Sequence, residues 1–250
     1  VIGAAGKMLM PGFIDVHCHG NSGYDFSDAD QDGMNAMCLA KLKEGVTSWL
    51  PTTLTLPEEE LAAALKTAEV YSSSGIIGAK VPGIHLEGPY INVKQIGAQN
   101  PDYVRLPDIE EVKRLDAIYK VLKVSYAVEV EGGAEFARDL TAMGIAASCV
   151  HSEANHAEFE AAMVCGLRNI SHFCNQVTGL HHREIGIVGA GLLHDDVFIE
   201  FICDKLHICP DMIKLVFKLK RSDRIMLITD SMRAAGMPDG EYDLGGMDVV

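Results

Sequence analysis

Positive charge and long apolar runs are both scarce in this sequence. Its 250 residues include 21 lysines and arginines against 35 aspartates and glutamates, a formal net charge of −14. A surface of that sign repels nucleic acid and anionic lipid, so neither is expected as a partner. No apolar run reaches the roughly 18 residues needed to cross a bilayer, so no membrane segment is expected.

Paired cysteine motifs and targeting signals are absent as well. The seven cysteines are an odd number without any C-x₂-C spacing, which indicates reduced thiols and a cytoplasmic protein. The start, VIGAAGKMLMPGF, has no basic region before its short apolar stretch, so no signal peptide is expected. The sequence lacks an initial Met and its last residues, DLGGMDVV, stop inside an apparent strand. We therefore expect both ends to be cut from a longer protein.

Short apolar, β-branched runs alternate with helical patterns along the whole chain. Strands are predicted at 13–19, 46–51, 81–86, 121–130, 145–150, 168–173, 197–203 and 224–229. Helices are predicted at 57–71, 109–119, 134–143, 157–165 and 210–218. Parallel strands joined by helical crossovers form a sheet with helices outside it, and eight strands close a barrel. The predicted fold class is α/β, a (β/α)₈ TIM-type barrel over residues 1–250.

Two other architectures fit part of this pattern. The length would also accommodate two domains of about 125 residues each. An open, doubly wound sheet would give the same alternation of strands and helices. No G-x-G-x-x-G or G-x-x-x-x-G-K-[ST] loop follows a predicted strand, and no Pro/Gly/Ser-rich linker divides the chain. The barrel is therefore favoured.

Five of the eight predicted strands end in residues that can bind a metal ion. Strand one ends in His17 and His19, which face the same way because alternate residues share a face. The other four ends carry His85 and Glu87, His151, His172, and Asp230. Each residue alone has an ordinary explanation, as a packed core histidine, a loop acid or a helix cap. Five coincidences at one end of a barrel are much harder to explain, since catalytic groups lie at the carboxyl ends of barrel strands.

The donor set indicates metal-assisted hydrolysis. Neutral imidazoles and a carboxylate suit Zn²⁺ or Fe²⁺, and such an ion lowers the pKa of bound water towards about 7. Asp230 can take the proton of that water and return it to a leaving amine. Ser-His-Asp catalysis is disfavoured because no G-x-S-x-G motif is present. The histidines at 156, 181, 182 and 194 are taken as surface residues.

Seven runs cover nearly the whole chain in order: PGFIDVHCHG (11–20), GIHLEGPYIN (83–92), GAQNP (97–101), HSEA (151–154), SHFCNQVTGLHHREIGIVGA (171–190), CDKLHI (203–208) and LITDSMRAAG (227–236). They resemble the N-acetylglucosamine-6-phosphate deacetylases of the amidohydrolase superfamily. HLEGP, HHREIG and TDS together are fairly specific for that family. The resemblance implies hydrolysis of N-acetylglucosamine 6-phosphate to glucosamine 6-phosphate and acetate, as part of amino sugar metabolism. It also implies an accessory β-sandwich that is largely missing from this chain.

The resemblance assigns roles to individual residues. It implies that Glu87, His151 and His172 bind the principal metal and that Asp230 is the catalytic acid and base. His17 and His19 would hold a second ion, giving one or two ions per subunit. Contacts with the sugar and acetamido group are implied for Ala98, Gln99, Asn175 and Gln176. The 6-phosphate would be held by His207 and Arg183, the arginine coming from the neighbouring subunit of a homodimer.

Some positions depart from the family pattern, and two alternative functions stay open. Val150, Gln176, Ile185 and Lys205 stand where the family has Gly, Ala, Pro and Gly. One alternative is another amidohydrolase, either a cyclic-amide hydrolase or a deaminase. Many cyclic-amide hydrolases use a carboxylated lysine at the end of strand four, whereas Lys123 lies at the start of that strand here. The other alternative is an inactive metal-binding fragment.

Overall fold

Eight parallel strands and seven helices alternate along the residues that the computed structural model describes, 5–75 and 77–249. The strands are β1 (Phe13–Cys18), β2 (Val46–Thr53), β3 (Ile84–Glu87), β4 (Val121–Tyr126), β5 (Ala146–Cys149), β6 (Asn169–Ile170), β7 (Phe198–Phe201) and β8 (Ile225–Leu227). They form one sheet in sequence order. The (β/α)₈ prediction is confirmed. Residues 1–4, 76 and 250 of the predicted domain lie outside the described residues.

A helix follows each of the first seven strands. They are α1 (Gln31–Lys43), α2 (Glu58–Ser73), α3 (Ile109–Asp116), α4 (Gly133–Ala142), α5 (His156–Val164), α6 (Gly186–Leu193) and α7 (Pro210–Leu219). Two short hairpins form separate two-stranded sheets, one joining Gly20–Asn21 to Tyr24–Asp25 and the other joining Tyr242–Leu244 to Met247–Val249. Within the described ranges, no helix is both long and apolar enough to cross a membrane.

The end of β8 is hydrogen-bonded to the end of β1, which brings the first and last strands of the sheet together. The Asp230 amide donates to the His17 carbonyl at 2.9 Å, and the His19 amide donates to the Ser231 carbonyl at 2.9 Å. A buried Asp15 carboxylate supports this junction by accepting from Thr229 Oγ1 at 2.6 Å. Residues from opposite ends of the sequence therefore meet at one rim of the barrel.

Helices α1 and α6 are not among the helices predicted from the sequence pattern. Helix α6 has the sequence GIVGAGLL and is buried over most of its length, so it has no polar face to create a period. Helix α1 contains Gly33, where an added Cβ would lie 2.6 Å from the Tyr24 ring. Its start is nevertheless well defined, because the Asp30 side chain accepts hydrogen bonds from the amides of Asp32 and Gly33.

Apolar side chains between the sheet and the helices form the core. Trp49, Leu61, Phe159 and Phe201 are fully buried there. Burying a side chain of this size contributes about 1.5–3 kcal/mol relative to leaving it in water. This packed layer holds the strands in place, and it thereby positions the residues that follow the strand ends.

Candidate active site

The six residues predicted to carry the chemistry converge at the carboxyl ends of the strands. Glu87 ends β3, His17 lies in β1 and His19 directly follows β1. His151, His172 and Asp230 follow β5, β6 and β8, respectively. Three of them have backbones in the left-handed region, with φ of 43° at His151, 26° at His172 and 49° at Asp230. Such conformations cost on the order of 1–3 kcal/mol each, and they cluster at functional sites.

Glu87 stands at the centre of the cluster and is almost fully buried. Its Oε1 atom lies 3.1 Å from His17 Nε2, 3.2 Å from His172 Nε2 and 3.8 Å from His151 Nε2. Its Oε2 atom lies 3.2 Å from His19 Nε2 and accepts a hydrogen bond from Gln99 Nε2 at 2.8 Å. Four imidazoles from the ends of three strands, β1, β5 and β6, thus face one carboxylate.

Hydrogen bonds at Nδ1 determine which ring nitrogen of three histidines faces the cluster. His151 Nδ1 is 2.6 Å from the Gln95 carbonyl, and His172 Nδ1 is 3.1 Å from the Asn175 carbonyl. His17 Nδ1 is 2.7 Å from the Glu200 carboxylate. Because these oxygens are acceptors, each Nδ1 must carry the hydrogen, which leaves the Nε2 lone pair for a cation.

The residues fit a divalent metal ion. Among the described residues, His17 Nε2 and Glu87 Oε1 are buried polar atoms without a hydrogen-bond partner. In this cluster, donor atoms within 4.8 Å of one another form two groups: Glu87, His151 and His172; and His17, His19 and Asp230. Imidazole nitrogens with carboxylate oxygens are the donors that Zn²⁺ and Fe²⁺ prefer. These two groups correspond to the one or two ions expected from the sequence.

The electrostatic field of the cluster also favours a cation. Burial opposes charge on His17, but Asp230, Glu87 and Glu200 outweigh that effect and raise the pKa of His17 to about 10. Burial lowers the pKa of His151 to about 4, so this ring is neutral at pH 7 and its lone pair is free. A positive charge is thus stabilised next to His17 Nε2, either as a proton or as a metal ion that takes its place, while the Nε2 lone pair of His151 stays free.

Asp230 lies opposite Glu87 across the same imidazoles. Its Oδ1 atom is 3.3 Å from His17 Nε2 and 3.5 Å from His19 Nε2. Burial would raise the pKa of Asp230, but His17 and the hydrogen bond to His19 lower it well below the usual range. The carboxylate is therefore ionised at neutral pH and can accept a proton.

A layer of buried polar residues lies beneath the cluster, and the sequence analysis did not identify it. Glu200 of β7 is fully buried between His17 Nδ1 and Lys123 Nζ. Burial opposes ionisation of Glu200, but Lys123 and His17 lower the pKa of its carboxyl to about 2. Lys123 also donates to Ser171 Oγ at 2.9 Å. The sequence signal that could have indicated this layer is Glu200 itself, a single acid in the otherwise apolar run VFIEFIC.

His85 belongs to this layer, although it shares a face of β3 with Glu87. Its Nε2 is 2.6 Å from Ser125 Oγ, and its Nδ1 is 3.2 Å from Thr52 Oγ1. Burial, followed by the charges of Lys123 and His17, keeps the pKa of His85 well below its ordinary value. Both ring nitrogens are occupied, so His85 supports the site from below.

A cavity of about 330 Å³ opens above the cluster. Small-molecule sites typically have about 300–1,000 Å³. Its wall includes all but two of the twelve residues predicted for the site: His19, Glu87, Ala98, Gln99, His151, His172, Asn175, Gln176, His207 and Asp230. Leu54, Gly97, Met232 and Leu244 complete the wall and had not been predicted.

The two predicted residues that do not line the cavity have different positions. His17 lies beneath it, fully buried against Glu87 and Glu200. Arg183 is exposed in a turn in which His181 pairs with Glu184, and it does not line the cavity of its own chain. The role predicted for Arg183 requires a second subunit, so the structure of one chain leaves that role a prediction.

Comparison with known proteins places this site in a family. Residues 8–244 match the model of the amidohydrolase family. An N-acetylglucosamine-6-phosphate deacetylase of Vibrio furnissii is 41% identical over 95% of this chain and 60% of its own length. An N-acetylgalactosamine-6-phosphate deacetylase of Escherichia coli O157:H7 is 40% identical over 97% of this chain and 65% of its own.

Solved structures agree with these relatives. A Mycobacterium smegmatis N-acetyl-D-glucosamine-6-phosphate deacetylase variant, in complex with N-acetyl-D-glucosamine-6-phosphate, superimposes with a TM-score of 0.89. It is 31% identical, and the match covers 95% of this chain and 62% of that one. The chain thus spans about three fifths of the length of the proteins that it resembles.

Proposed function

Because this chain belongs to the amidohydrolase family, we propose that it is the barrel domain, residues 1–250, of a deacetylase acting on N-acetylglucosamine 6-phosphate. The products are acetate and glucosamine 6-phosphate. The observation that best supports this proposal is that ten of the twelve predicted site residues line one cavity. They include Glu87 of the metal cluster, Asp230 and the polar residues predicted to contact the sugar. The proposal includes a cytoplasmic location, which rests on the seven cysteines without C-x₂-C spacing.

Glu87, His151 and His172 would hold the principal ion, and His17 and His19 would hold a second ion. A divalent ion bound there polarises the amide carbonyl and lowers the pKa of water. Gln99 keeps Glu87 in position by donating to Oε2, while its own Oε1 accepts from the Thr55 amide at 2.7 Å. The donor set is compatible with Zn²⁺ or Fe²⁺.

Asp230 would move the proton in both halves of the reaction. As an ionised carboxylate at the rim of the cavity, it accepts a proton from the attacking water. It then donates that proton to the amine of the leaving sugar, so that glucosamine 6-phosphate departs as a stable amine. The side chains of Gln99 and Asn175, at the wall of the same cavity, would orient the acetamido group.

The phosphate would lie at the side of the cavity formed by His207. The Nδ1 atom of His207 is 2.6 Å from Asp204 Oδ2, and this contact holds the ring at the cavity wall. We propose that Arg183 reaches the phosphate of a neighbouring subunit, because it is exposed and does not line the cavity of its own chain. An arginine and a histidine would hold a dianion on a protein of net charge −14.

The test is acetate release from the purified chain after loading with Zn²⁺ or Fe²⁺. Three substrates are compared: N-acetylglucosamine 6-phosphate, its galactosamine epimer and unphosphorylated N-acetylglucosamine. We expect the first to give the highest kcat/KM. A higher value for the epimer would reassign the substrate. No acetate from any of them, in a folded and metal-loaded sample, would support the inactive-fragment alternative.

A further inference from the structure

A third cluster of metal-binding side chains lies outside the cavity, between helices α5 and α6. His156 is the first residue of α5, Glu160 lies one turn later on the same helix, and His194 follows the last residue of α6. The two Nε2 atoms are 3.0 Å apart, and each is 3.7 Å from Glu160 Oε1. Both imidazoles are about three quarters buried or more, with 24% and 20% of their side chains exposed.

These three distances match the size of a metal site. A triangle with sides of 3.0, 3.7 and 3.7 Å has a centre about 2.0 Å from each corner, and bonds from Zn²⁺ to imidazole nitrogen or carboxylate oxygen are about 2.0–2.2 Å. The spacing of the three atoms therefore matches a single ion between them. We propose that His156, Glu160 and His194 bind a divalent transition-metal ion of the Zn²⁺, Co²⁺ or Ni²⁺ class.

The arrangement is poorly explained as a simple histidine pair. An N–H···N hydrogen bond would need only the two rings, whereas the Glu160 carboxylate is placed equally far from both nitrogens. His181 and His182 provide a contrast within the same chain. Their rings are also close, with centroids 4.1 Å apart, yet they are exposed and belong to none of the three donor groups found among the described residues.

An ion at this position would tie α5 to α6. These helices follow β5 and β6, whose ends carry His151 and His172 of the cavity. The Glu184 carboxylate already links the two helices by accepting hydrogen bonds from the amides of His156 and Gly186. The ion would add a second link, from the start of α5 to the end of α6, so binding is expected to stabilise the fold.

The test measures zinc content at a buffered micromolar concentration of free Zn²⁺. The wild type is compared with His194→Ala, Glu160→Gln and the matched control His182→Ala. We expect His194→Ala to contain about one ion fewer per chain, and Glu160→Gln to need more free Zn²⁺ for the same occupancy. The cavity residues are unchanged in all four proteins, so the difference counts only this cluster.

Two further measurements accompany the zinc count. Titration with Co²⁺ should give a visible absorption band that is smaller in His194→Ala than in the wild type. Acetate release should be the same in both, because the cluster lies outside the cavity, and circular dichroism checks that each variant is folded. Equal zinc content in wild type and folded His194→Ala would overturn the proposal, and so would an equal loss in His182→Ala.

Discussion

Replacement of Glu200 tests the candidate site most sharply, because its two carboxylate oxygens serve different partners. Oε2 accepts from His17 Nδ1 at 2.7 Å, while Oε1 accepts from Lys123 Nζ. In Glu200→Gln the side chain keeps one oxygen, so it can accept from only one of these donors. In either orientation the buried Lys123 ammonium loses its counter-charge, because the amide is neutral. If the amide nitrogen faces Lys123, it also removes a hydrogen-bond acceptor from that ammonium. If it faces His17, Nδ1 must become an acceptor and the ring proton moves to Nε2.

Either orientation carries a measurable cost. Removing one member of a buried ion pair destabilises a protein by about 3–5 kcal/mol. Lys123 keeps its hydrogen bond to Ser171 at 2.9 Å, so we expect the lower end, about 3 kcal/mol. Loss of the partner that orients a metal-binding histidine typically lowers metal affinity about 10–100-fold. We expect a decrease of that size for Zn²⁺ in the cavity.

The two effects are measured separately. The free energy of unfolding is obtained from urea denaturation in excess chelator, followed by the fluorescence of Trp49, the single and fully buried tryptophan. Zinc affinity is obtained by competition with a chromogenic chelator in the His194→Ala background. Glu59→Gln, on the exposed side of α2, is the matched control and should change neither quantity.

A double variant checks the reasoning further. Lys123→Met removes the buried ammonium, so in Lys123→Met/Glu200→Gln the amide oxygen is free to accept from His17. Both stability and zinc affinity should then recover towards the wild-type values. A change of less than about 1 kcal/mol in the unfolding free energy of Glu200→Gln, with zinc affinity unaltered, would refute the supporting role of Glu200.

Three further predictions concern the proposed reaction. Asp230→Asn should lower kcat by at least about 10² while metal content is retained, because an amide cannot accept the proton of water. Arg183→Ala should lower kcat/KM for the phosphorylated sugar roughly tenfold to a few hundredfold, which corresponds to a lost interaction of about 1.5–3 kcal/mol. The kcat/KM for the unphosphorylated sugar should be largely unchanged. Removal of divalent ions should abolish acetate release, and elemental analysis of reloaded His194→Ala should find about one to two ions per chain.

Each of these has a clear contrary result. Near-normal turnover in Asp230→Asn would remove this residue from the mechanism. An unchanged ratio of kcat/KM for the two sugars in Arg183→Ala would place phosphate recognition elsewhere. Full activity in a sample that elemental analysis shows to be free of metal would contradict the metal-assisted reaction.

The strand pattern and the strand-end residues were accessible from sequence because they depend on neighbours in the chain. Alternation on a strand places His17 and His19 on one face, and the carboxyl ends of parallel strands must meet at one rim. Helix α6 was not found this way, because a helix that is apolar all round has no period. The same local rule paired His85 with Glu87, yet it could not reveal that His85 is held below the site.

Contacts between distant parts of the chain were decided by the tertiary structure. Glu200 and His17 are 183 residues apart, and their hydrogen bond depends on how strands β1 and β7 are placed on either side of β8. His156 and His194 were taken as surface residues, and only the packing of α5 against α6 brings their nitrogens to 3.0 Å. The sequence by itself determined which residues can reach the rim, because strand periodicity is local. The barrel decided which of them meet, because that depends on register and helix packing summed over the whole fold.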